Sequence, residues 1–358
     1  MERYCAVANV LLISKAVVPP YRDGSAAFVR DLASATVRSH RLRVMVPRGE
    51  DAPGGSIAEP IYSGRAGLEP LIVQRMRVAK RLTRTNDQVD IDHYIFAPNR
   101  RTSSAAIAAK HLRRRPIVHT VPSQPSEKAP LFADIHVTFS RDTAKLLKDW
   151  GAEDVRVVPP AVSVPSGARA NRARFGIPKD CKAILFAGDM TEPGGAETLA
   201  AALERTKDLY GVFAFRDGGS ETEDIKARVE SRLKSRAIML GEVDDVASLL
   251  RSVDMQCLPA SDLTGKLDFP QVVLQSMALG TPVAVGDMAP LNEIGDEPDG
   301  VLRISYSPRT LARQIERFLK AEDRRSALVA AARKTVESRF SIAQLGEAYG
   351  AIYDELSS

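Results

Sequence analysis

The chain has 358 residues, of which 44% are hydrophobic and 27% charged, and its formal net charge is +5 at pH 7. This length predicts two domains of about 150 to 200 residues each, because one hydrophobic core rarely serves a longer chain. No apolar run approaches the ~18 residues that a membrane span needs, and Cys5, Cys181 and Cys257 are too few and too far apart for a disulfide or zinc framework. We therefore expect a cytoplasmic protein without a secretory leader.

The two halves of the chain differ in charge. Residues 1–180 carry 29 Lys and Arg against 17 Asp and Glu, whereas residues 181–358 carry 21 against 28. This change of sign fits a division into domains, and the basic half favours an acidic partner such as phosphate or anionic lipid headgroups. Nucleic acid is not expected as a partner, because the arginine clusters lack interleaved aromatic residues and any helix-turn-helix pattern.

Strand-like and helix-like segments alternate through the first half, which indicates a parallel sheet covered by helices. The predicted strands are 7–13, 43–46, 91–96, 116–120, 135–139 and 155–158. The predicted helices between them are 24–39, 69–85, 102–112 and 141–150.

A segment rich in Pro, Gly, Ser and Arg follows at 160–178 and predicts a hinge. The second alternation has strands at 183–188, 211–216, 237–240, 255–258 and 282–285, and helices at 195–207, 221–233, 246–250, 271–279 and 307–319, with a tail that reads as helix throughout 324–356. We assign an N-terminal domain to 1–162, a linker to 163–180, a C-terminal domain to 181–335 and a final helix to 336–358. The expected class is α/β, with two doubly wound Rossmann-like domains facing a central cleft.

The most informative stretch is 266–285, which reads as loop, helix, glycine stop and buried strand. Pro270 precedes the helix, and Gly280 ends it before the apolar run 282–285. In parallel sheets, ligands bind where loops meet helix N-termini, since the amides there present the positive end of the helix dipole. The segment around Phe269 is therefore a candidate anion-binding site.

These residues resemble the donor-site region of family-four retaining glycosyltransferases, which have the GT-B fold. The resemblance extends over nearly the whole chain and is carried by segments 186–188, 194–195, 258–261, 269–270, 274–283 and 292–294. It implies transfer of a sugar from a nucleotide-diphosphate sugar to a saccharide or small-molecule acceptor. It also implies that the C-terminal half holds the donor, that the N-terminal half holds the acceptor, and that the last helix crosses back to the first domain.

The chain departs from the family at four charged positions. Leu267 and Gln275 stand where the family usually has two glutamates, and Asp189 and Gly194 stand where it has an arginine and a lysine that neutralise the diphosphate. The chain is more similar to a divergent subgroup with Gly-Asp and Lys-x-Asp-x-Pro at these places. Backbone amides near 269–271, together with Lys266 and the basic first domain, are then expected to replace the missing cations. The side-chain amide of Gln275 is expected to hydrogen-bond the donor ribose.

The resemblance implies a set of site residues. Those expected to contact the donor are Gly24, Ser25, Gly188, Asp189, Gly241, Glu242, Val243, Lys266, Asp268, Phe269, Pro270, Gln271 and Gln275. Those expected to contact the acceptor are Tyr21, Arg22 and Ser123. His93 and His119 are candidate catalytic residues, because each lies near the end of a strand and histidine titrates near neutral pH; each fits a structural role in its strand equally well. No set of His, Cys or carboxylates has metal-ligand spacing, so neither a metal nor a cofactor is expected.

Three alternatives stay open. The missing charged residues fit a non-catalytic, glycosyltransferase-like partner or regulatory subunit, and the architecture also fits an epimerase of sugar nucleotides. The predicted helix that carries Arg75, Arg77, Lys80, Arg81 and Arg84 is basic and amphipathic, which fits either peripheral contact with a membrane or a solvated helix face.

Overall fold

The computed structural model describes residues 7–21, 23–63, 71–165, 167–216 and 218–358. Arg22, which we expect to contact the acceptor, lies outside the described residues. The chain forms two compact units. The N-terminal unit ends at Ala161 and also contains Thr264–Asp268 and Phe340–Ser358, whereas the C-terminal unit consists of Val162–Leu263 and Phe269–Arg339.

The N-terminal unit contains a seven-stranded parallel sheet with the order β3-β2-β1-β4-β5-β6-β7. Its strands are β1 (Asn9–Ile13), β2 (Arg41–Pro47), β3 (Ile57–Tyr62), β4 (Ile91–Ile95), β5 (Ile117–Val121), β6 (Ile135–Thr138) and β7 (Val155–Val157). The helices between them are α1 (Gly24–Thr36), α2 (Leu71–Leu82), α3 (Arg100–Arg113) and α4 (Arg141–Asp149).

The C-terminal unit contains a six-stranded parallel sheet with the order β10-β9-β8-β11-β12-β13. Its strands are β8 (Lys182–Ala187), β9 (Leu209–Ala214), β10 (Ala237–Gly241), β11 (Met255–Leu258), β12 (Val283–Gly286) and β13 (Val301–Ile304). Its helices are α5 (Ala196–Leu203), α6 (Ser220–Leu233), α7 (Val246–Ser252), α8 (Gln271–Leu279), α9 (Pro308–Lys320) and α10 (Glu322–Arg339), and α11 (Ile342–Ser357) follows in the N-terminal unit.

Two parallel sheets of this kind confirm the prediction of two Rossmann-like domains. The strand order reverses between β1 and β4 in the first sheet and between β8 and β11 in the second. Ligands of doubly wound sheets bind at such switch points, outside the carboxyl ends of the strands. Among the described residues, no helix combines the length and apolar character that crossing a membrane requires.

Three features differ from the sequence predictions. The strands β3 and β13 were not predicted: β3 lies at a sheet edge and contains Pro60, which weakens the strand pattern, and β13 is a four-residue edge strand. The tail is not one helix, because the chain leaves the helical path after Arg339 and α11 begins anew. Ser341 caps the new helix by accepting a hydrogen bond from the Gln344 amide at 3.3 Å.

The helix α11 packs against α1 and the first sheet within the N-terminal unit. The Tyr349 ring lies 6.1 Å from the Phe28 ring, and both tyrosines of α11, Tyr349 and Tyr353, are fully buried. A Cβ at Gly346 would lie 2.7 Å from the Ala35 carbonyl oxygen, so glycine allows the two helices to approach closely. The C-terminal end of the chain is therefore part of the N-terminal hydrophobic core.

Candidate functional site

In the C-terminal unit, the site predicted from sequence lies where β8 and its neighbours end. The Gly188 amide, just past β8, donates to the Ala214 carbonyl at the end of β9 over 3.1 Å. On the other side of β8 lies β11, across the switch point. Residues 188–195 thus form the turn that crosses the ligand-binding edge of this sheet.

This turn is held tightly against the residues that follow β11. The Ser261 amide donates to the Pro193 carbonyl over 2.8 Å. Gly195 has a φ of 92°, and a Cβ at this position would lie only 2.3 Å from the Pro259 carbonyl oxygen. Gly195 is also the N-cap of α5. Because glycine has no side chain to cap the helix, the first backbone amides of α5 face this turn without a capping partner.

Asp189, in the turn, forms an ion pair with Arg216. The Arg216 Nη2 lies 3.1 Å from the Asp189 Oδ1, and the arginine side chain is 52% exposed. Arg216 comes just after β9, the strand beside β8. The sequence prediction for this turn named the aspartate and missed the arginine, because Arg216 is 27 residues further along the chain.

The other predicted donor residues of the C-terminal unit surround the same strand ends and the start of α8. Gly241 ends β10, and its carbonyl accepts from the Phe215 amide over 2.9 Å. Glu242 is exposed, and Val243 is half-buried against a hydrophobic cluster that includes Ala247 and Leu250 of α7. Phe269 is buried, Pro270 begins α8 as its N-cap without a capping side chain, and Gln271 and Gln275 are half-buried one helical turn apart. No described residue forms a hydrogen bond with the side-chain amide of Gln275, so this group is available to a ligand.

Asp268 and Lys266 lie in the segment Thr264–Asp268, which belongs to the N-terminal unit. The Gly265 amide donates to the Gln124 carbonyl, and the Asp268 amide to the Pro122 carbonyl, both over 3.0 Å. The Asp268 carboxylate accepts from the Ser140 hydroxyl at 2.5 Å and is 1% exposed. Asp268 therefore anchors this segment to the strand ends of the N-terminal unit, whereas Lys266 is exposed.

The start of α1 carries a negative charge that sequence reasoning missed. The Asp23 carboxylate caps α1, accepting from the Ser25 amide at 2.9 Å, and it pairs with the Lys15 ammonium at 2.7 Å. Burial alone would raise the pKa of Asp23, but hydrogen bonds from Lys15 and Ser25 outweigh it and lower that pKa to about 2. Gly24 and Ser25, predicted to approach the donor phosphates, thus lie beside a carboxylate.

The predicted acceptor residues Tyr21 and Ser123 differ in exposure. Tyr21 is half-buried, and the Arg30 guanidinium lies over its ring at 5.4 Å from the ring centre. Ser123 follows β5 and is 5% exposed. In this structure Tyr21 offers more surface to an acceptor than Ser123.

The two candidate catalytic histidines are buried in the N-terminal unit. The His93 Nδ1 lies 2.7 Å from the Tyr353 hydroxyl, and its Nε2 lies 2.7 Å from the Thr120 hydroxyl. Burial lowers the pKa of His93 to about 3, so the ring is neutral at pH 7. The His119 Nε2 lies 3.1 Å from the Phe96 carbonyl, and burial followed by the proximity of His136 lowers its pKa far below the usual value. Catalytic roles for both residues stay predictions, and their burial weighs against direct contact with a substrate.

Over the described ranges of the chain, no group of three His, Cys, Asp or Glu side chains is arranged to hold a metal ion. What the site offers is a glycine turn at the switch point, the amides that begin α5 and α8, the Gln275 amide and the Arg216 guanidinium. Such a combination of main-chain donors and one cation suits a phosphorylated ligand.

Comparison with known proteins identifies a family match in the part of the chain that contains this candidate site. Residues 168–335, which belong to the C-terminal unit except for 264–268, match the family model of the glycosyl transferases group 1. D-inositol 3-phosphate glycosyltransferase of Xylanimonas cellulosilytica is 28% identical over 232 residues, which cover 58% of this chain and 54% of that protein. The chain spans about half the length of the curated relatives that it matches.

Solved structures match nearly the whole chain. Sucrose-phosphate synthase from Thermosynechococcus elongatus superposes with a TM-score of 0.78 at 17% identity, covering 98% of this chain and 99% of the other. Anabaena HepE in complex with UDP-glucose superposes with a TM-score of 0.75 at 14% identity, covering 96% and 98%. The structural matches show the GT-B fold, and residues 168–335, somewhat less than half of the chain, match the group 1 glycosyl transferase family model.

Proposed function

We propose that the chain is a retaining glycosyltransferase that moves a sugar from a nucleotide-diphosphate sugar to a saccharide or small-molecule acceptor. The donor binds to the C-terminal unit and the acceptor to the N-terminal unit. The observation that carries the proposal is the glycine turn 188–195, held against residues 259–261 at the switch point of the unit that matches the family. The solved neighbour in complex with UDP-glucose supports a donor of this class.

The proposed reaction depends on positioning and on stabilising the negative charge that develops on the leaving diphosphate. Gln275 hydrogen-bonds the donor ribose through its amide, which no described residue occupies, and the amides at the starts of α5 and α8 face the diphosphate. The proposal assigns no covalent role to a protein side chain and includes neither a metal ion nor a cofactor.

Binding and turnover of the intact chain test this function. We expect calorimetric titration with UDP-, GDP- and dTDP-sugars to reveal one donor that binds. With that donor, Gln275→Ala is expected to lower turnover by about fivefold, because a hydrogen bond to the ribose contributes about 1 kcal/mol. Gln344→Ala, the same change at an exposed position of α11, is the control and should retain full activity.

A wild-type chain that binds no donor and turns over none in a cell extract would support the non-catalytic alternative instead. A fully active Gln275→Ala variant would remove Gln275 from the donor site and leave the transferase assignment in place.

We also propose that α2 contacts an anionic membrane surface. The side chains of Ile72 and Met76, four residues apart on α2, are 63% and 65% exposed. Arg75, Lys80 and Arg84 are exposed beside them, and the described part of the chain gives them no carboxylate partner. Sequence reasoning placed two further cations on this face. Arg77 is half-buried, and Arg81 is 4% exposed with its Nε donating to the Glu59 carboxylate at 3.0 Å. Exposed apolar residues flanked by unpaired cations suit negatively charged lipid headgroups.

Sedimentation with vesicles tests this contact. We expect the chain to bind vesicles that contain both phosphatidylglycerol and phosphatidylcholine and to dissociate from them at high salt. It should not bind vesicles of phosphatidylcholine alone. The double variant Ile72→Ser/Met76→Ser should lose most of the binding, whereas Val157→Ser, which changes an apolar residue 41% exposed on β7, should keep it. Equal binding by both variants, or self-association through α2 without lipid binding, would contradict the proposal.

A further inference from the structure

The turn 188–195 is acidic, although it forms part of a site proposed for a diphosphate. Asp189 lies within it, and Glu192 is exposed in the same turn. The Glu192 amide donates to the Glu221 carboxylate at 3.2 Å, which brings a third acid close. A diphosphate would meet repulsion here unless a cation were also present.

Arg216 places a cation at this turn. Its strand, β9, runs parallel to β8 with Ala187 opposite Ala214, so the residues that follow the two strands reach the same edge of the sheet. The Arg216 Nη2 donates a hydrogen bond to the Asp189 Oδ1 over 3.1 Å. Arg228, on α6, is already paired: its Nε and Nη2 donate to the two carboxylate oxygens of Glu197 at 2.8 and 3.0 Å.

We propose that Arg216 binds the diphosphate of the nucleotide sugar, and that Asp189 orients its guanidinium for this contact. The inference rests on the proposed function and identifies a side-chain cation that sequence reasoning, which named backbone amides, Lys266 and the basic first domain, did not assign to this site. Arginine suits this role because its planar fork of donors matches the oxygens of a phosphate group.

The Arg216 guanidinium has further hydrogen-bond donors that its contact with Asp189 does not use. Only Nη2 bonds to Asp189, and Nε and Nη1 have no partner among the described residues. With 52% of the side chain exposed, a ligand can reach these donors without breaking a buried contact. Exposed ion pairs contribute little to stability, so the contact with Asp189 is easily lengthened or exchanged when a diphosphate binds.

A ligand contact and a mere surface ion pair predict different outcomes. If the pair only supports the fold, removing either partner has the same small effect. If Arg216 binds a diphosphate, its loss weakens binding, whereas loss of the Asp189 charge removes a repulsion and leaves the cation in place. Variants of the two partners therefore change the affinity in different directions.

Calorimetric titration of the intact chain with UDP, GDP and dTDP tests the inference. We expect Arg216→Ala to weaken binding of the preferred diphosphate about tenfold or more, by loss of charge-assisted hydrogen bonds. Asp189→Asn keeps an oxygen that can accept from the Arg216 guanidinium and loses the charge that repels a diphosphate, so it should bind at least as tightly as the wild type. Arg232→Ala is the matched control, because Arg232 pairs with Glu204 at the same 3.1 Å near the C-terminal end of α5. The deficit of Arg216→Ala should shrink at high salt.

The outcomes separate this inference from the proposed function. A wild-type chain that binds none of the three diphosphates overturns both. If the wild type binds one of them, equal affinities of Arg216→Ala and Arg232→Ala overturn the role of Arg216 and leave the proposed function standing. Binding weakened by Asp189→Asn to the same extent as by Arg216→Ala has the same consequence, because it assigns the pair a structural role.

Discussion

Replacing Gly195 with alanine is expected to lower sugar transfer about 100-fold while most of the chain stays folded, because displacing a binding element by about 1 Å has an effect of that size. A Cβ at Gly195 would lie 2.3 Å from the Pro259 carbonyl oxygen and 2.5 Å from the Pro259 carbonyl carbon. Both are backbone atoms, which cannot turn aside as a flexible side chain would. The turn 188–195 and the residues after β11 must therefore move apart.

The control for this prediction is Gly176→Ala. Gly176 also has a left-handed backbone, with a φ of 65°, but nothing lies within 4 Å of a Cβ built there. Its variant carries the backbone strain without the collision, which isolates the effect of the collision in Gly195→Ala. Initial rates with the donor identified by titration, together with circular dichroism of both variants, measure the result. A Gly195→Ala variant as active as Gly176→Ala would show that the turn does not need this close approach.

The sequence predicted the features that depend on local patterns. The helix α8 and the strand β12 follow from periodicity, a proline at the start and Gly280 at the end, and the structure places them at 271–279 and 283–286. Alternation of strands and helices predicted parallel sheets, since βαβ units join parallel strands by crossover helices. The edge strands β7 and β10 were predicted, whereas β3 and β13 were missed, because an edge strand needs neither a continuous apolar run nor the absence of proline.

The sequence did not predict contacts that join distant residues. Asp268 reads as a polar loop residue beside the donor site, but 128 residues separate it from Ser140, to which it bonds in the buried core. His93 reads as a polar residue at a strand end, but it bonds to Tyr353, 260 residues away. Spacing along the chain reports which residues share a face of a helix or strand, and it carries no information about which distant side chain completes a hydrogen bond.

The two turns predicted to meet phosphate share an arrangement that only the structure shows. Asp23 caps α1 and pairs with Lys15, and Asp189 in the turn before α5 pairs with Arg216. In each turn an aspartate holds a cation at the end of a parallel strand. A phosphate bound there would meet a side chain already oriented by an acid, which reduces the loss of side-chain entropy on binding.

Arg113→Ala is expected to lower the free energy of unfolding of the N-terminal unit by about 3 to 5 kcal/mol, the usual cost of removing one partner from a buried ion pair. The Arg113 side chain is fully buried, and its Nε and Nη2 donate to the two oxygens of Asp92 at 2.6 and 2.9 Å. Asp92 is 1% exposed in β4. Without the guanidinium its carboxylate would stay buried and lack its two strongest donors.

Two further variants establish that burial causes the loss. Arg156→Ala removes an arginine that also donates two hydrogen bonds to one carboxylate, Glu355, at 2.7 and 2.8 Å, but this pair is exposed and should contribute at most about 1 kcal/mol. Arg113→Met combined with Asp92→Leu should recover much of the stability, because it leaves no unpaired charge. Urea unfolding followed by the fluorescence of Trp150, which lies in the N-terminal unit and is the chain's one tryptophan, measures all three. Equal losses for Arg113→Ala and Arg156→Ala would show that the buried pair contributes no more than an exposed one.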